Sequence, residues 1–218
     1  MEDAKHEMAR RFYGYGRWDA PYWFIGPEPG KGRNQPADNT PRVKAWRRRG
    51  GTELLDCHDF HRRIGEKNWH KDVPLLQPTW RPLMLLLMTF LEKPGDDKSL
   101  RTYQRDRWGR VSGGETCVIE LSGLAAKSLK VPMDRGSFRQ ERIEIIHQRM
   151  HTYKPQLVVM YGGGQKGRKH WEEIAGSVFP ADGILKLGYT TIALAPHPVV
   201  YGSKDQDWVK LGQRLRGL

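Results

Sequence analysis

Four short apolar segments recur along the chain, and the stretches between them have the spacing of amphipathic helices. The apolar segments are 22–25, 117–121, 157–161 and 190–195, and their aromatic and β-branched residues favour strands. Helical patterns lie at 82–91, 138–153, 168–175 and 206–215. Strands that alternate with helices form parallel sheets covered by helices on both faces. The sequence therefore predicts an α/β fold, a three-layer sandwich with a central four-stranded parallel sheet.

Length and composition fit one domain over residues 1–218. With 38% hydrophobic residues and eight Trp, the chain can build a sizeable core. Residues 31–72 and 94–114 interrupt the alternation, and because both are polar and basic we predict that they are surface excursions. The longest apolar run, 83–88, is far too short to span a bilayer, and no signal-like segment opens the chain. We expect a cytoplasmic monomer without membrane attachment.

The charge balance favours a polyanionic partner. Lys and Arg number 37 against 25 Asp and Glu, a formal net charge of +12, which suits nucleic acid by counterion release. A basic but ordinary enzyme and an anionic membrane surface remain alternatives. Two cysteines, Cys57 and Cys117, cannot build a disulfide framework or a four-thiolate metal site, so a reduced intracellular protein is expected.

The first candidate site is the turn that follows the first predicted strand. Residues 26–30 read Gly-Pro-Glu-Pro-Gly, and two Pro with two Gly cannot continue a strand or a helix. Glu28 is therefore predicted at the carboxyl end of a strand, the edge where open α/β sheets bind ligands. A solvated loop carboxylate is the alternative.

The second candidate site follows the last predicted strand. His197 stands between Pro196 and Pro198, which restrict the backbone and hold the imidazole in place. If the first and last strands belong to one parallel sheet, Glu28 and His197 face one ligand. Each alone has a simpler explanation, a solvated carboxylate or a loop-capping imidazole, and their pairing favours a site.

In four motifs the chain resembles the uracil-DNA glycosylase superfamily. The turn at 26–30 is similar to that family's G-x-x-P-G or G-Q-D-P-Y turn, and His197-Pro198 matches its last motif. Residues 51–56 are similar to the family's helix start and 154–162 to its P-x-x-x-x-x-x-G strand. The motifs follow the family's order over most of the chain.

The resemblance implies a monofunctional glycosylase that hydrolyses the N-glycosidic bond of uracil, or a related deaminated base, in DNA and so initiates base excision repair. Glu28 stands where the family's uracil enzymes place a water-positioning Asp or Asn, and a carboxylate there stabilises an oxocarbenium-like transition state. His197 stands where a donor stabilises negative charge on O2 of the leaving base. Such a protein would be nucleoid-associated, with damaged DNA as its partner.

Base extrusion requires phosphate contacts, a wedge and an aromatic surface. The residues at 199–201 stand where the family inserts a residue into the duplex, Gly202, Ser203 and Lys204 are candidates for phosphate contact, and Trp46 is a candidate for stacking on a base. The candidate substrate-binding residues are Gly26, Pro27, Pro29, Gly30, Trp46, Ser122, Pro198, Val199, Tyr201, Ser203 and Lys204.

The chain departs from the family where the base edge is read. Family members place an Asn at the end of strand two, whereas residues 117–123 contain none. Ser122, Glu120, a backbone group or one of the loop residues Asn34, Asn39 and Asn68 would take that role. Two cysteines are too few for the iron-sulfur branch of the family, and we expect neither a cofactor nor a metal.

Two further motifs have alternative interpretations. The Gly-rich stretch 162–169 is typical of a phosphate-binding loop but lacks the Gly-Lys-Ser/Thr ending of an NTPase, so we predict a strand-to-helix turn that can touch a DNA phosphate. Residues 56–61 hold Asp56, Cys57, His58, Asp59 and His61, a metal-capable group without an evident distant partner. A nucleic-acid-binding relative without activity and a metal-dependent nuclease are therefore the alternative functions.

Overall fold

The computed structural model describes residues 2–30, 39–125 and 138–218, which form seven strands and eight α-helices. The strands are β1 (Gly14–Tyr15), β2 (Tyr22–Gly26), β3 (Leu54–Leu55), β4 (Thr116–Glu120), β5 (Leu157–Tyr161), β6 (Ile184–Leu187) and β7 (Thr190–Ala195). The helices are α1 (Glu2–Arg11), α2 (Thr40–Arg48), α3 (Cys57–Arg63), α4 (Trp80–Phe90), α5 (Asp97–Asp106), α6 (Arg139–Tyr153), α7 (Gly164–Ala175) and α8 (Asp205–Arg216).

All seven strands belong to one mixed sheet, in the order β3-β1-β4-β2-β5-β7-β6. The pairs β4 with β2, β2 with β5, and β5 with β7 are parallel. At the two sides, β1 runs antiparallel to β4 and β6 antiparallel to β7. The α/β class is confirmed, and the sheet is larger than the predicted four strands. The additional strands are two to four residues long, too short to give a periodic pattern.

Apolar side chains of alternating strand residues fill two cores, one on each face of the sheet. One core contains Phe24, Val118 and Val159 together with the buried residues of α4. The other contains Ile25, Ile119 and Met160 of the same strands, with buried residues of α6 and α7. Because both faces are covered, the central strands are buried throughout, which explains their continuous apolar composition.

The regions predicted as surface excursions contribute to the core, so that prediction is wrong where the structure describes them. Within 94–114, α5 begins after Asp96, whose side chain accepts from the backbone N–H groups of Lys98 and Ser99, and it buries Leu100 and Tyr103. Within 39–72, α2 and α3 bury Val43, Trp46 and Phe60. Each of these three helices has one narrow apolar face, and the rest of its sequence is polar. A mostly polar stretch of this kind is easily interpreted as a surface loop.

Helix bounds agree with the predicted patterns to within a few residues, except at the start of α7. That helix begins at Gly164 rather than near residue 168, because Gly163 at φ 82° caps its first turn in the left-handed conformation. Among the described residues, no helix combines the length and the apolar character needed to cross a bilayer.

Candidate active site at the carboxyl edge of the sheet

The carboxyl ends of β4, β2, β5 and β7 lie side by side at one edge of the sheet. From β2 the chain moves to β4 on one side, and then crosses to β5 on the other. A reversal of this kind leaves a crevice between the strand ends, where α/β proteins bind ligands. Glu28 follows β2, Glu120 ends β4, Tyr161 ends β5 and His197 follows β7.

Glu28 lies in the half-buried turn 27–29 that leaves β2. The strand stays in register up to the turn, since Gly26 pairs with Glu120 and its carbonyl oxygen accepts from the Leu121 N–H at 2.9 Å. The negative charge of Glu28 acts on the neighbouring Glu120 and raises that carboxyl's pKa. The predicted carboxylate is thus at the strand end, close to a second acidic side chain.

Glu120 is a buried carboxyl group at the centre of this edge. The Tyr161 hydroxyl donates to its Oε1 at 3.2 Å, whereas Oε2 is buried and has no hydrogen-bond partner among the described residues. Burial is the main cause that raises the pKa of Glu120 to about 8, and the charge of Glu28 raises it further against the hydrogen bond from Tyr161. Burial therefore favours the protonated form of Glu120.

The end of β4 is held rigidly by a buried arginine from α6. The Arg142 guanidinium donates to the carbonyl oxygens of Glu120 at 2.7 Å and Leu121 at 3.0 Å, and to those of Ala9 and Arg10 on α1. Its side chain is 1% exposed, and burial lowers its pKa to about 10. Arg142 positions Glu120 by fixing the backbone that carries it.

The absence of a side chain at Gly26 leaves the space that Glu120 and Tyr161 occupy. A Cβ atom at this position would lie 2.2 Å from Oε2 of Glu120 and 2.4 Å from the Tyr161 hydroxyl oxygen. No real Cβ contact is that short, so any larger residue would displace one of the two groups. The glycine that precedes the turn 27–29 is therefore required by packing at this edge of the sheet.

His197 lies beside the end of β5, on the same edge. Its ring packs edge-on against Tyr161, with centroids 5.9 Å apart, and a Cβ at Gly162 would lie 3.1 Å from its Cδ2. The backbone N–H of Val199 donates to Nδ1 at 3.4 Å, so the ring's proton is on Nε2. Burial lowers the pKa of His197, and a neutral imidazole with a free Nε2–H is a directed donor.

Contacts thus connect the two predicted catalytic residues through two others. Glu28 acts on Glu120 through its charge, Glu120 bonds to Tyr161, and Tyr161 packs on His197. The expectation that both motifs lie at one edge agrees with the strand order. Tyr161 was not predicted as a site residue, because it is the last apolar residue of a buried strand. Only its position at the strand end could have indicated a role.

Three consecutive apolar residues after His197 are exposed. Val199 is 54%, Val200 49% and Tyr201 103% exposed, although large apolar side chains are usually buried. Pro198, in contrast, is buried and anchors the start of this segment. Residues 199–201 therefore form an exposed apolar segment that begins two residues after His197.

The residues predicted to contact phosphate, Gly202, Ser203 and Lys204, differ in how well their surroundings suit such a contact. Lys204 is exposed, but Ser203 already accepts a hydrogen bond from Trp208 Nε1 at 2.9 Å. The first turn of α8 carries Asp205 and Asp207, which repel phosphate and occupy the positive end of the helix dipole. Lys204 is thus the stronger of these candidates.

Two predicted substrate contacts do not face the edge. Trp46 is 0% exposed in the core, and its Nε1 donates to the Thr52 carbonyl at 2.8 Å, so its prediction as a stacking surface is wrong. Lys44, Arg47 and Arg48 on α2 are exposed, whereas Arg42 is buried as Trp46 is. Ser122 is also buried and is hydrogen-bonded in both directions to Leu124 at 3.3 Å, which leaves it no free group for a base.

Of the loop asparagines considered for base reading, Asn39 is likewise unsuited. Asn39 is 4% exposed and exchanges two hydrogen bonds with the Ala125 backbone. Asn68 belongs to a short 3-10 helix, Lys67–Trp69, and Asn34 lies outside the described residues. Of the groups considered for reading the base, Glu120 has an unpaired polar atom at the site.

The metal-capable segment 56–61 splits into two groups. Asp56 caps α3 by accepting from the Asp59 N–H at 3.1 Å, and it pairs with Arg110 at 2.9 Å. Cys57 and His61 point into the core, where they meet His70. All three are buried, so a substrate cannot reach them and they do not form a nuclease centre.

Comparison with models of known protein families found no match, and comparison with curated proteins found none either. The functional proposal therefore depends on the chemistry of the strand-end residues.

Proposed function

We propose that this protein is a monofunctional DNA glycosylase that removes uracil, or a related deaminated base, from DNA and initiates base excision repair. The observation that carries the proposal is the carboxyl of Glu120 at the sheet edge, with Oε1 bonded to Tyr161, Oε2 buried, and His197 packed against Tyr161. The motif resemblance and the net charge of +12 support a DNA substrate.

A protonated Glu120 supplies what the missing asparagine would supply. An amide side chain offers one acceptor oxygen and one donor, which pair with N3–H and O4 of uracil. A carboxylic acid also offers a carbonyl acceptor and an O–H donor. Cytosine presents the reverse pattern, because its N3 is an acceptor and its N4 a donor. While it keeps its proton, Glu120 can therefore pair with both N3–H and O4 of uracil.

Glu28 and His197 act on opposite sides of the breaking bond. The charged Glu28 stabilises positive charge on the sugar and orients or deprotonates the attacking water. The Nε2–H of His197 donates to the oxygen on which the leaving base develops negative charge.

The wedge segment 199–201 is proposed to fill the space that the extruded nucleotide leaves. Insertion of an apolar residue into a duplex is favourable because it replaces lost stacking. Tyr201 has the largest exposed apolar surface of the three. Lys204 would neutralise a nearby phosphate.

The test uses oligonucleotides that contain a single uracil, hypoxanthine or xanthine, each single-stranded and as a duplex. A glycosylase produces breaks at the modified base only after alkali. Breaks before alkali would favour the nuclease, and binding without breaks would favour the inactive relative. A complete lack of excision from every substrate contradicts the proposal.

Glu28→Gln tests the assigned carboxylate, with Glu144→Gln as a matched control because Glu144 is exposed on α6. We expect Glu28→Gln to lower the excision rate by about 10²- to 10⁴-fold with DNA binding retained. Full activity of this variant would refute the role of Glu28.

A further inference from the structure

Cys57, His61 and His70 bring three ligand atoms together inside the core. The Cys57 sulfur lies 3.3 Å from Nδ1 of His61 and 3.9 Å from Nε2 of His70, and the two nitrogens are 3.3 Å apart. Cys57 is 0%, His61 7% and His70 5% exposed. Three polar atoms thus face one another at a point that water does not reach freely.

These separations match a metal site. With Zn–S near 2.3 Å and Zn–N near 2.0–2.1 Å, tetrahedral geometry separates two nitrogens by about 3.3 Å and a sulfur from a nitrogen by about 3.6 Å. The three observed separations lie within about 0.3 Å of those values. Cys57 and His61 are four residues apart on α3, so they share one face of the helix.

The position of His70 explains why the sequence did not reveal the group. His70 follows the short 3-10 helix and is 13 residues beyond Cys57, so neither a fixed ligand motif nor one helical face connects them. A turn of this length is needed to bring the third ligand back to α3. The sequence therefore showed Cys57 and His61 close together, but nothing in its pattern indicated that His70 is the third ligand.

The surroundings orient the imidazole of His61. Its Nε2 lies 3.5 Å from the Tyr15 hydroxyl, which in turn accepts from Arg42 at 3.1 Å. A group that holds the second ring nitrogen in this way directs the first toward a metal.

A metal-free arrangement is the competing explanation. Nδ1 of His61 also lies 2.9 Å from the Cys57 carbonyl oxygen and could donate to it. In that case the ring would be an ordinary core histidine, and Cys57 would remain a neutral thiol whose pKa is raised by burial. The two explanations differ in whether the cluster binds a metal ion.

We propose that Cys57, His61 and His70 bind one Zn²⁺ ion as a structural site that holds α3 to the segment after the 3-10 helix. Thiolate and imidazole ligands suit zinc, and binding displaces the thiol proton to solvent. A water molecule completes the coordination, because the neighbouring His58 is not among the mutually close ligand atoms. The role is structural because the group is buried.

The first experiment measures metal in untagged wild-type protein from zinc-supplemented medium, by mass spectrometry after exhaustive dialysis. We expect about one zinc per chain. Protein freed of metal and titrated with Co²⁺ is expected to develop a thiolate-to-cobalt charge-transfer band, which does not depend on any variant folding. No retained metal together with no cobalt band would overturn the proposal, and one copper per chain would overturn the assignment of zinc.

The second experiment assigns the ligands. Cys57→Ser and His70→Gln should lose the bound zinc and the thermal stabilisation that added zinc gives the metal-free wild type. Cys117→Ser and His151→Gln are matched controls, a second fully buried thiol and an exposed imidazole, and should retain about one zinc. If Cys57→Ser and His70→Gln retain wild-type zinc, the ligand set is wrong.

Discussion

The Tyr161 hydroxyl donates to Oε1 of Glu120 at 3.2 Å, and both groups occupy the space above the bare Cα of Gly26. Burial raises the pKa of Tyr161 well above its ordinary value, so the hydroxyl keeps its proton and remains the donor. The pair joins β4 to β5 across β2, and it fixes one carboxyl oxygen, whereas the other is buried and has no hydrogen-bond partner among the described residues.

Gly26→Ala should damage the site. Its new Cβ would lie 2.2 Å from Glu120, and relief of such a clash costs about 1–3 kcal/mol of unfolding free energy. Excision should fall sharply because Glu120 must move. Gly217→Ala is the matched control, since a Cβ there would meet only ordinary contacts at 3.7 Å and 3.8 Å, far from the predicted site residues in sequence. Chemical denaturation and excision assays on both variants check this, and equal behaviour of the two would contradict it.

The raised pKa of Glu120 predicts a pH dependence of stability. Between its ordinary value of 4.5 and the folded value of about 8, the folded state keeps a proton that the unfolded state has lost. The free energy of unfolding therefore falls as pH rises through this window and levels off above it. At about 1.4 kcal/mol per pKa unit, the loss amounts to about 3–5 kcal/mol.

Glu120→Gln isolates this contribution because an amide does not titrate. Guanidinium denaturation between about pH 5 and pH 9 should show the wild type losing stability relative to the variant as pH rises. Parallel stability curves for the two proteins would mean that Glu120 titrates normally.

Uracil excision should decline above about pH 8, because ionised Glu120 no longer donates to the base. Glu120→Gln keeps one acceptor and one donor, so it should remain active and lose the alkaline decline. Glu120→Met has a side chain of similar size but neither an acceptor nor a donor, so this variant should be inactive. Rate measurements across pH for the three proteins test the base-reading role, and an active Glu120→Met variant would exclude it.

His197→Ala should lower the excision rate by about 10²- to 10³-fold, the usual cost of losing one donor to a developing anion. Substrate affinity should change less, since the donor acts mainly on the leaving base. His151→Ala is the control because His151 is exposed on α6. Single-turnover kinetics separate the two effects, and a change in affinity alone would assign His197 to binding.

Tyr201→Ala should reduce activity on duplex DNA more than on single strands, because only a duplex requires a wedge. Tyr201 is 103% exposed, so its removal should alter the unfolding free energy by less than about 0.5 kcal/mol. Tyr189→Ala is matched at 88% exposure and should change neither activity. An unchanged ratio of duplex to single-strand rates would exclude residue 201 as the wedge.

The central strands and four of the helices could be predicted because their apolar patterns are regular. The strand ends followed from them, which is why Glu28 and His197 could be placed at one edge. Trp46 could not be placed correctly, since a basic sequence around an aromatic residue looks the same whether the ring points outward or into the core. The raised pKa of Glu120 could not be predicted either, because its burial depends on β2 and β5, which are distant from it in sequence.

The strand order also determines when activity can appear during folding. Glu28 and His197 come from opposite ends of the chain, and β7 reaches the edge only by pairing with β5. Contacts between such distant segments form late. A partly folded chain, even one with most of its sheet, would lack His197 at the edge. Base excision would therefore report on the completed chain, and a nascent or truncated product would have no partial activity toward DNA.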